Sequence, residues 1–474
     1  MTGFTIIPTF DSSVTGSAVA AQFESAVNTA IQYFEGLITT SITVTMAFGY
    51  GENGGVAMSP ASGASSSVGE SSVSWTSLYN AVQATDTTSA VQRAAASLLT
   101  AADPTNGAGT FYMAPAEQMA LGLAPASSAT VGTIGLSVDT YNWSQTGTQN
   151  PNGSDAVSEF EHEISEVLGR TDFGGANNDY NLMDMFRYTA AGGASGAAPG
   201  SAAGALDQPF VTGYNANAAS YFSYNGTTVT LQYDTPTEVA GGADVADWTA
   251  SVPNDSFDGS GGPGTVDPVS ATDLQVLNVL GYSLAPQCFM AGTRIATPGA
   301  AAAVETLRPG DLVRTADGDV LPVRFVGVQT VRTREADPLI LPIRIRAGAL
   351  AAHVPSRDLV LSPGHAVFVG GVLAQAGALV NGTSIVREQG LPAQFGYWHV
   401  ELDRHALLLA EGCAAESYLP AAEAAGFDNA ADRPNLPPAE EMAYPRAKSA
   451  RQIPPTVRER LAARGAITIQ AVAA

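Results

Sequence analysis

The chain changes character at Cys288, and this change constrains the fold more than any other feature of the sequence. Residues 1–287 hold three basic and 26 acidic side chains, a net charge of −23, whereas residues 288–474 hold 18 of each. Short Val/Ile/Leu segments broken by Gly and Pro also begin at Cys288. Two modules with separate cores account for such a step better than one continuous domain.

The charge and the apolar content exclude several classes of protein. A first module with a net charge of −23 repels phosphate backbones and anionic lipid, so we expect no nucleic-acid partner. Hydrophobic residues make up 45% of the chain, which excludes a protein that is disordered throughout. No apolar run reaches the roughly 18 residues of a membrane-spanning helix, so we expect no transmembrane segment.

Cysteine and lysine usage bear on the compartment. Cys288 and Cys413 are the only cysteines, which excludes a disulfide framework. The N-terminal sequence MTGFTIIPTFDSS has no basic region and no long apolar stretch, so we expect no cleavable signal peptide. A Gly-rich acidic chain with Lys448 as its sole lysine is compatible with leaderless export. We therefore expect a bacterial protein, secreted or at the cell surface, that engages an export machinery.

The first module combines helix and strand patterns. Residues 4–10 and 42–48 predict strands, the second from strict alternation of apolar and polar positions. Residues 20–38 carry apolar side chains at helical spacing, and a second helix is predicted over 88–102. Residues 52–75 are rich in Gly and Ser and predict a loop. Strand, helix and strand in this order indicate a sheet backed by helices.

Turn and capping signals mark the later boundaries. Asn225-Gly226 between alternating segments predicts a two-residue hairpin. The spacing of Ser270 and Asp273 is that of a capping box, and the helix that follows closes the first module near residue 284. Residues 422–474 form an Ala/Pro-rich tail with a short helix predicted near 456–464.

Residues 154–169 predict an amphipathic helix that carries candidate metal ligands. His162 and Glu166 are four residues apart, so both side chains leave the same face of the helix and can reach one metal ion. Glu163 lies beside them, where it can take a proton from a water molecule. This is the arrangement of an HExxH site with Glu in place of the second His.

The continuation of this motif resembles the extended zinc signature of the metzincin peptidases. The pattern His162-Glu163-x-x-Glu166-x-x-Gly169-x-x-Asp172 differs from that signature by one ligand. The segments HEISEVLGR, DMFRY, GADVADW and SATDLQVLNVLGY also resemble a group of bacterial secreted metalloproteases over most of residues 1–284.

The resemblance implies an α+β metzincin-like peptidase domain that binds zinc and acts on a protein or peptide substrate. His162 and Glu166 would be zinc ligands, with Glu163 as general base. The third ligand is open between Asp172, which fits the metzincin spacing, and Asp184, which is slightly favoured because it lies in the DMFRY segment. Arg187 is interpreted as a structural ion-pair partner.

Two further acidic pairs allow a different interpretation of the first module. Asp244 and Asp247, and then Asp255 and Asp258, lie among glycines and can bind calcium through carboxylate and backbone oxygens. A solvated loop explains them equally well, because no EF-hand or nonapeptide repeat is present.

The second module resembles a Hint domain, the all-β self-processing module of inteins and Hedgehog proteins. The resemblance covers about 286–421. Its motifs are CFMAGTRI from Cys288, VETLRPGDLV from Val304, LSPGHAVF with Ser362 and His365, HVELDRHALLLAEG with His399 and His405, and ESYL from Glu416.

The resemblance assigns a reaction to these residues. The Cys288 thiol would attack the carbonyl of Gln287 and convert the peptide bond into a thioester. His365, with Ser362 beside it, would protonate the leaving nitrogen, and His399 and His405 are secondary candidates for proton transfer. The module lacks a His-Asn ending, so we expect release of residues 1–287 rather than splicing.

Two functions follow from these patterns. One is an exported zinc endopeptidase whose Hint domain cleaves itself at the Gln287–Cys288 bond. The alternative is a non-catalytic exported protein that binds calcium or a partner at the surface and is matured or anchored by the Hint domain. If the Hint domain is inactive, Cys288 is a small buried residue at a domain joint, and Cys413 is a core residue without an assigned role.

Overall fold

The computed structural model describes most of both modules. The described residues are 4–85, 90–145, 148–173, 178–189, 220–226, 231–233, 244–249, 255–258, 262–284, 287–332, 341–418, 427–429, 432–434, 442, 444, 446–447 and 453–472. Among them, apolar side chains gather in one large core within residues 4–284 and in three smaller clusters within 288–461.

The first module mixes helices and strands. In chain order its elements are β1 Thr5–Phe10, α1 Ser12–Thr15, α2 Ala20–Leu37, β2 Thr43–Tyr50, β3 Glu52–Asn53, β4 Val56–Ala57, β5 Ala64–Val68, β6 Ser71–Val73, α3 Trp75–Ala84, α4 Ala90–Leu98, β7 Thr110–Met113, α5 Pro115–Ala120, β8 Thr130–Leu136, β9 Tyr141–Asn142, β10 Ser154–Asp155, α6 Ala156–Val167, β11 Asp179–Tyr180, a 3-10 turn Met183–Phe186, β12 Arg187–Thr189, β13 Ser220–Phe222 and α7 Ala271–Val279.

A four-stranded sheet supports helix α6, the predicted metal-binding helix. The strand order is β1-β2-β8-β5, with β5 antiparallel to an otherwise parallel set. Helix α6 packs against β5, β8 and α2. Its Phe160 meets Phe23 of α2 and Phe48 of β2 edge-on, at ring distances of 5.0 and 6.0 Å. The buried face of α6 therefore fixes the side that carries His162 and Glu166.

Most of the periodic segments form the predicted elements. The predictions for residues 4–10, 20–38, 42–48 and 154–169 are confirmed by β1, α2, β2 and α6. The helix predicted over 88–102 is present as α4, with residues 86–89 outside the described chain.

The boundary signals also have structural counterparts. Ser270 and Asp273 form the predicted capping box of α7. Ser220–Phe222 pairs with residues 231–233 as a hairpin, in which the Phe222 N–H donates to the Leu231 carbonyl at 2.9 Å. The predicted turn residues Asn225 and Gly226 lie between these strands, and residues 227–230 lie outside the described residues.

The loop predicted over residues 52–75 is wrong in part. Strands β3 to β6 lie in this segment, and β5 pairs with β8 over five residues. Three of the five residues of β5 are serines, so the apolar alternation that indicates a strand is missing. An edge strand is held mainly by its backbone hydrogen bonds, which do not depend on that pattern.

The second module is built of strands up to residue 416. Its elements are β14 Phe289–Met290, β15 Arg294–Ile295, β16 Ala302–Ala303, a 3-10 turn Val304–Thr306, β17 Leu312–Arg314, β18 Val320–Arg332, β19 Ile343–Ile345, β20 Leu359–Leu361, β21 Ala366–Val369, β22 Val372–Gln375, a 3-10 turn Ala376–Leu379, β23 Ile385–Arg387, β24 Gln394–Leu402, β25 Leu407–Ala410, β26 Cys413–Glu416, β27 Arg446–Ala447 and α8 Pro455–Val472.

Two sheets make up this module. In the described chain their strand orders are β17-β18-β24-β14-β20-β19-β23 and β16-β15-β25-β26-β21-β22-β27. The predicted all-β class is confirmed for the region of the motifs, and α8 extends the tail helix predicted near 456–464. Among the described helices, none combines the length and apolarity needed to cross a bilayer.

Candidate functional site

Strand β14 places Cys288 at the centre of the second module. Phe289 pairs with Leu361 of β20 on one side and with Trp398 of β24 on the other. The segments that follow Leu361 and that contain His399 therefore converge on Cys288. The Cys288 residue is 1% exposed.

Ser362 holds both backbone polar groups of Cys288. The Cys288 N–H donates to the Ser362 hydroxyl at 2.7 Å. The Ser362 N–H donates to the Cys288 carbonyl at 2.8 Å, and the His365 N–H donates to the Ser362 carbonyl at 3.2 Å. One tight turn thus connects Cys288 to His365.

His365 is a buried neutral imidazole of defined tautomer. Its Nε2 lies 3.1 Å from the Glu416 carbonyl oxygen, which can only accept, so Nε2 carries the proton. Nδ1 then holds a lone pair and has no hydrogen-bond partner among the described residues. Burial lowers the pKa of His365 to about 3.

Two more histidines adjoin this ring. His399 stacks on His365 with ring centroids 4.9 Å apart. Burial, and then the neighbouring His365 and His405, lower the pKa of His399 well below its usual value. His405 accepts at Nδ1 from the Met442 N–H at 3.2 Å, and its Nε2 lies 3.7 Å from Glu416 Oε2.

The structure therefore brings Cys288, Ser362 and His365 together and connects His405 to them through Glu416. The sequence pattern located Glu416 in a motif but gave it no role. Cys413 lies apart from them in the core, 1% exposed, and burial raises the pKa of its thiol to about 12. Such a thiol is a packing group rather than a nucleophile.

Helix α6 in the first module is held firmly at both ends. The Asp155 carboxylate caps its start by accepting from the N–H groups of Val157 at 3.0 Å and Ser158 at 3.3 Å. Gly169 ends it with a φ of +114°, a conformation that side chains rarely adopt. This turn directs Arg170 back beneath the helix, where it is fully buried.

His162, Glu166 and Asp247 form one compact donor group, with the ligand atoms within 4.8 Å of one another. His162 Nε2 lies 3.2 Å from Glu166 Oε1 and 3.2 Å from Asp247 Oδ1. His162 Nδ1 lies 2.9 Å from the Ser256 carbonyl, to which it donates. Nε2 of the neutral ring then presents a lone pair to two carboxylates, an arrangement that requires a proton or a metal ion between them.

Arg170 holds the two carboxylates in place from below. Its Nη1 donates to Asp247 Oδ1 at 2.7 Å and its Nη2 to Glu166 Oε1 at 3.2 Å. Burial alone would raise the pKa of Asp247, but His162 and Arg170 lower it to about 2. Burial and Arg170 would lower the pKa of His162, and the carboxylates, Asp247 foremost, raise it well above its usual value.

Glu163 faces the same cleft without a partner for one oxygen. The residue is 5% exposed, and its Oε2 makes no hydrogen bond among the described residues. Burial, and then the charge of Glu166, raise the pKa of Glu163 well above its usual value. A raised pKa suits a carboxylate that exchanges protons near neutral pH. The cleft has a volume of about 410 Å³.

Asp172 and Asp184, the two candidates for the third ligand, do not join the donor group. Asp172 Oδ2 accepts from Arg187 Nε at 2.8 Å and Nη2 at 2.6 Å. Asp184 Oδ2 accepts from the Asn181 N–H at 2.8 Å. Arg187 forms the structural ion pair that the sequence indicated. Because its partner is Asp172, this carboxylate already has a cation and lies outside the donor group.

The donor group fits a divalent cation. One imidazole nitrogen and two carboxylates are a ligand set of zinc sites. Arg170 offsets only part of the charge of the Glu166 and Asp247 carboxylates when His162 is neutral, so a divalent ion would add positive charge to an acidic cleft. Asp247 comes from one of the two acidic pairs considered for calcium, and Asp244, Asp255 and Asp258 line the same cleft.

Comparisons with known proteins concern the second module. The chain is similar to the MchDnaB-1 intein at 16% identity, over 27% of this chain and 99% of that one, with a TM-score of 0.20. It is similar at 17% identity to a bacterial intein-like domain from Clostridium thermocellum, over 28% of this chain and 100% of that one, with a TM-score of 0.21.

The Msm DnaB1 intein splicing domain, whose structure holds bound zinc, is 14% identical over 27% of this chain and 99% of that one, with a TM-score of 0.21. No curated protein matches the chain. The sequence pattern of the Hint domain family matches residues 287–422, the region that contains the Cys288 site and its motifs. Residues 287–422 of this chain are a Hint domain.

Proposed function

We propose that the Hint domain cleaves its own chain at the Gln287–Cys288 bond through a thioester. Hint and intein domains are autoproteolytic, so some autoprocessing is expected of this one. The observation that carries the specific reaction is the turn from Ser362 to His365, which binds the Cys288 backbone and places a neutral imidazole in the same pocket.

The proposed first step balances within the site. Cys288 Sγ attacks the carbonyl carbon of Gln287 while the C–N bond to Cys288 breaks. The thiol proton passes to His365 Nδ1 and from there to the departing Cys288 nitrogen. Because the pKa of His365 is about 3, its protonated form is a strong acid, as a poor leaving group such as an amide nitrogen requires.

The second step frees the first module. Water attacks the thioester carbonyl, the C–S bond breaks, the departing Cys288 thiolate takes up one proton of that water, and the new carboxylic acid releases the other to solvent. The products are residues 1–287 with a new carboxylate at Gln287 and a second fragment that begins at Cys288.

The intact mass of freshly purified protein tests this proposal. We expect a fragment of residues 1–287 in the wild type, none in Cys288→Ala, and a wild-type yield in the matched control Cys413→Ala. Formation of that fragment in Cys288→Ala would refute the thioester. An intact wild-type chain after incubation with a small thiol would refute cleavage altogether.

For the first module we propose a second function, a zinc-dependent endopeptidase. The observation that favours it is the compact donor group of His162, Glu166 and Asp247 beside Glu163, whose Oε2 makes no hydrogen bond among the described residues. Zinc bound there would polarise the scissile carbonyl and acidify the attacking water. Glu163 would take the proton from that water and return it to the leaving nitrogen, and the acidic cleft would hold the substrate.

Metal content and proteolysis test this second proposal. We expect one zinc per chain, lost in His162→Ala and kept in Glu163→Gln, and cleavage of an unfolded protein substrate that Glu163→Gln abolishes. Cleavage by Glu163→Gln at the wild-type rate would exclude Glu163 as the base. Tight calcium binding without zinc or cleavage would favour the non-catalytic binding role.

A further inference from the structure

The tail beyond the Hint family match is packed onto the Hint domain. The Asp428 N–H donates to the Val328 carbonyl at 2.6 Å, and Asn429 Oδ1 accepts from the Val328 N–H at 2.9 Å. Asn429 Nδ2 donates to the Val326 carbonyl at 2.9 Å. The tail thereby satisfies backbone groups along strand β18, much as an added strand would.

The end of the tail also completes the core. Ile453, Val457 and Leu461 are 2%, 2% and 4% exposed within the same cluster as the Hint strands. Strand β27 pairs in parallel with β22 and extends one sheet. The described parts of the tail are therefore integral to this fold rather than an appended linker.

Two tail residues contact the candidate cleavage site. The Met442 N–H donates to His405 Nδ1 at 3.2 Å, which leaves the proton of neutral His405 on Nε2. Arg446 Nη2 donates to Glu416 Oε2 at 3.0 Å. Both members of this ion pair are largely buried, at 14% and 2% side-chain exposure.

Glu416 connects Arg446 to the segment that carries His365. Its Oε1 accepts from the Ala366 N–H, next to His365, at 2.7 Å. Its carbonyl oxygen lies 3.1 Å from His365 Nε2 and selects the tautomer with the lone pair on Nδ1. A displaced Glu416 side chain would release the Ala366 N–H next to His365, and a shift of the Glu416 backbone would release the His365 ring.

We propose that the tail is a working part of the Hint active site and that Arg446 is a positioning residue, which holds Glu416 and through it the catalytic tautomer of His365. This inference rests on the proposed self-cleavage. Burial is the main cause of the lowered pKa of His365. The positive charge of Arg446 lowers this pKa further and so also favours the neutral form of the ring. Nothing in the Hint family match, which ends at residue 422, includes this arginine.

Substitutions of Arg446 test the proposal through the rate of self-cleavage. Loss of a buried charge-assisted hydrogen bond predicts about a 10- to 100-fold slower cleavage in Arg446→Ala. Arg446→Lys keeps the charge and should recover part of the rate. Arg458→Ala, on the exposed face of α8, is the matched control and should cleave like the wild type. The pH profile of Arg446→Ala should also shift to higher pH.

Nitrogen NMR of the histidine rings separates this inference from the cleavage itself. In a Cys288→Ala background, Arg446→Ala should change the Nδ1 and Nε2 signals of His365, whereas Arg458→Ala should not. Altered signals in this background, together with a wild-type chain that stays intact, would uphold the positioning role and refute the self-cleavage. Unchanged signals together with a wild-type cleavage rate in Arg446→Ala would overturn the positioning role and leave the self-cleavage standing.

Discussion

Ser362 is the residue that couples the proposed nucleophile to the rest of its pocket. Its hydroxyl accepts from the Cys288 N–H and its own N–H donates to the Cys288 carbonyl, at 2.7 and 2.8 Å. Threonine would offer the same hydroxyl on a larger side chain. The contact therefore depends on the oxygen and not on the size of the side chain.

Substitution of Ser362 should separate the effect of its hydroxyl from the effect of its side-chain size. Ser362→Ala leaves a buried N–H without its acceptor, a loss of about 1–3 kcal/mol, and we expect self-cleavage to slow at least about tenfold. Ser362→Thr keeps the hydroxyl and should cleave at close to the wild-type rate. The rate of fragment formation by mass spectrometry gives the comparison, and equal rates for alanine and threonine would show that the hydroxyl has no part in cleavage.

The identity of the third metal ligand is a second question at the scale of the residue. Asp247→Asn preserves shape but removes the charge, and we expect zinc affinity to fall about 10- to 100-fold or more, as for the loss of groups close to a metal. Asp172→Asn and Asp184→Asn should bind zinc like the wild type, because their carboxylates face Arg187 and the Asn181 backbone. Competition with a chelator measures the affinities. Loss of zinc in Asp184→Asn alone would show that Asp184, the residue favoured from the sequence, is the third ligand.

The sequence could predict His162, Glu163 and Glu166 as one group because a single helix fixes their relative positions. Asp247 lies in another segment, and only tertiary structure brings it to the helix. Several aspartates of this acidic module satisfy a spacing rule equally well. The choice among them depends on which of them an arginine already neutralises, as Arg187 does for Asp172.

At the scale of the element, helix α6 carries the metal-binding face, and its cap determines where that face begins. Asp155→Ala removes the acceptor for two buried N–H groups and should destabilise the first module by about 1 kcal/mol. Asp155→Asn keeps a capping oxygen and should lose less. Thermal denaturation of the full chain decides, and an alanine variant as stable as the wild type would exclude a role for the cap.

Helices and strands were predicted correctly where their buried residues recur at a regular spacing. The prediction failed where backbone hydrogen bonds, rather than an apolar face, hold the strand. Helix α2 and strand β2 expose one face and bury the other, so their apolar residues recur at the expected period. Strand β5 has no such period, yet its Ser66 donates to Glu166 Oε2 at 2.6 Å and helps to fix a candidate ligand. The composition of residues 64–68 could not reveal that contact.

At the scale of the whole molecule, the pKa shifts of buried histidines in the Hint core favour proton release, and those of buried carboxyls in the first module favour proton binding. The Hint core encloses His365 and His399, whose pKa values burial lowers, to about 3 for His365. The first module encloses carboxyls such as Asp155 and Asp267, whose pKa values burial raises to about 7 and about 6. Carboxyls whose pKa is lowered, such as Asp247, have the opposite effect on proton binding. Among the described residues of this module they are fewer than the carboxyls whose pKa is raised.

These groups predict opposite responses of the two modules to acid. Between about pH 3 and 6.5 the unfolded Hint module binds more protons at His365 than the folded one, so its stability falls as the pH falls, and His399 acts in the same direction. The folded first module binds more protons than its unfolded chain between about pH 4 and 7, so its stability is greatest in acid and falls as the pH rises.

Calorimetry of the uncleavable Cys288→Ala chain, with chelator present to remove metal effects, measures both modules at once. We expect two transitions that move in opposite directions between pH 4 and 6.5. A second substitution, Leu408→Ala, creates a cavity in the Hint core, where Leu408 is fully buried, and should lower only the transition that acid weakens. Two transitions that shift together with pH, or one transition at every pH, would mean that the cores are coupled. In that case cleavage at Cys288 would destabilise both parts, whereas independent cores leave the acidic fragment folded after its release.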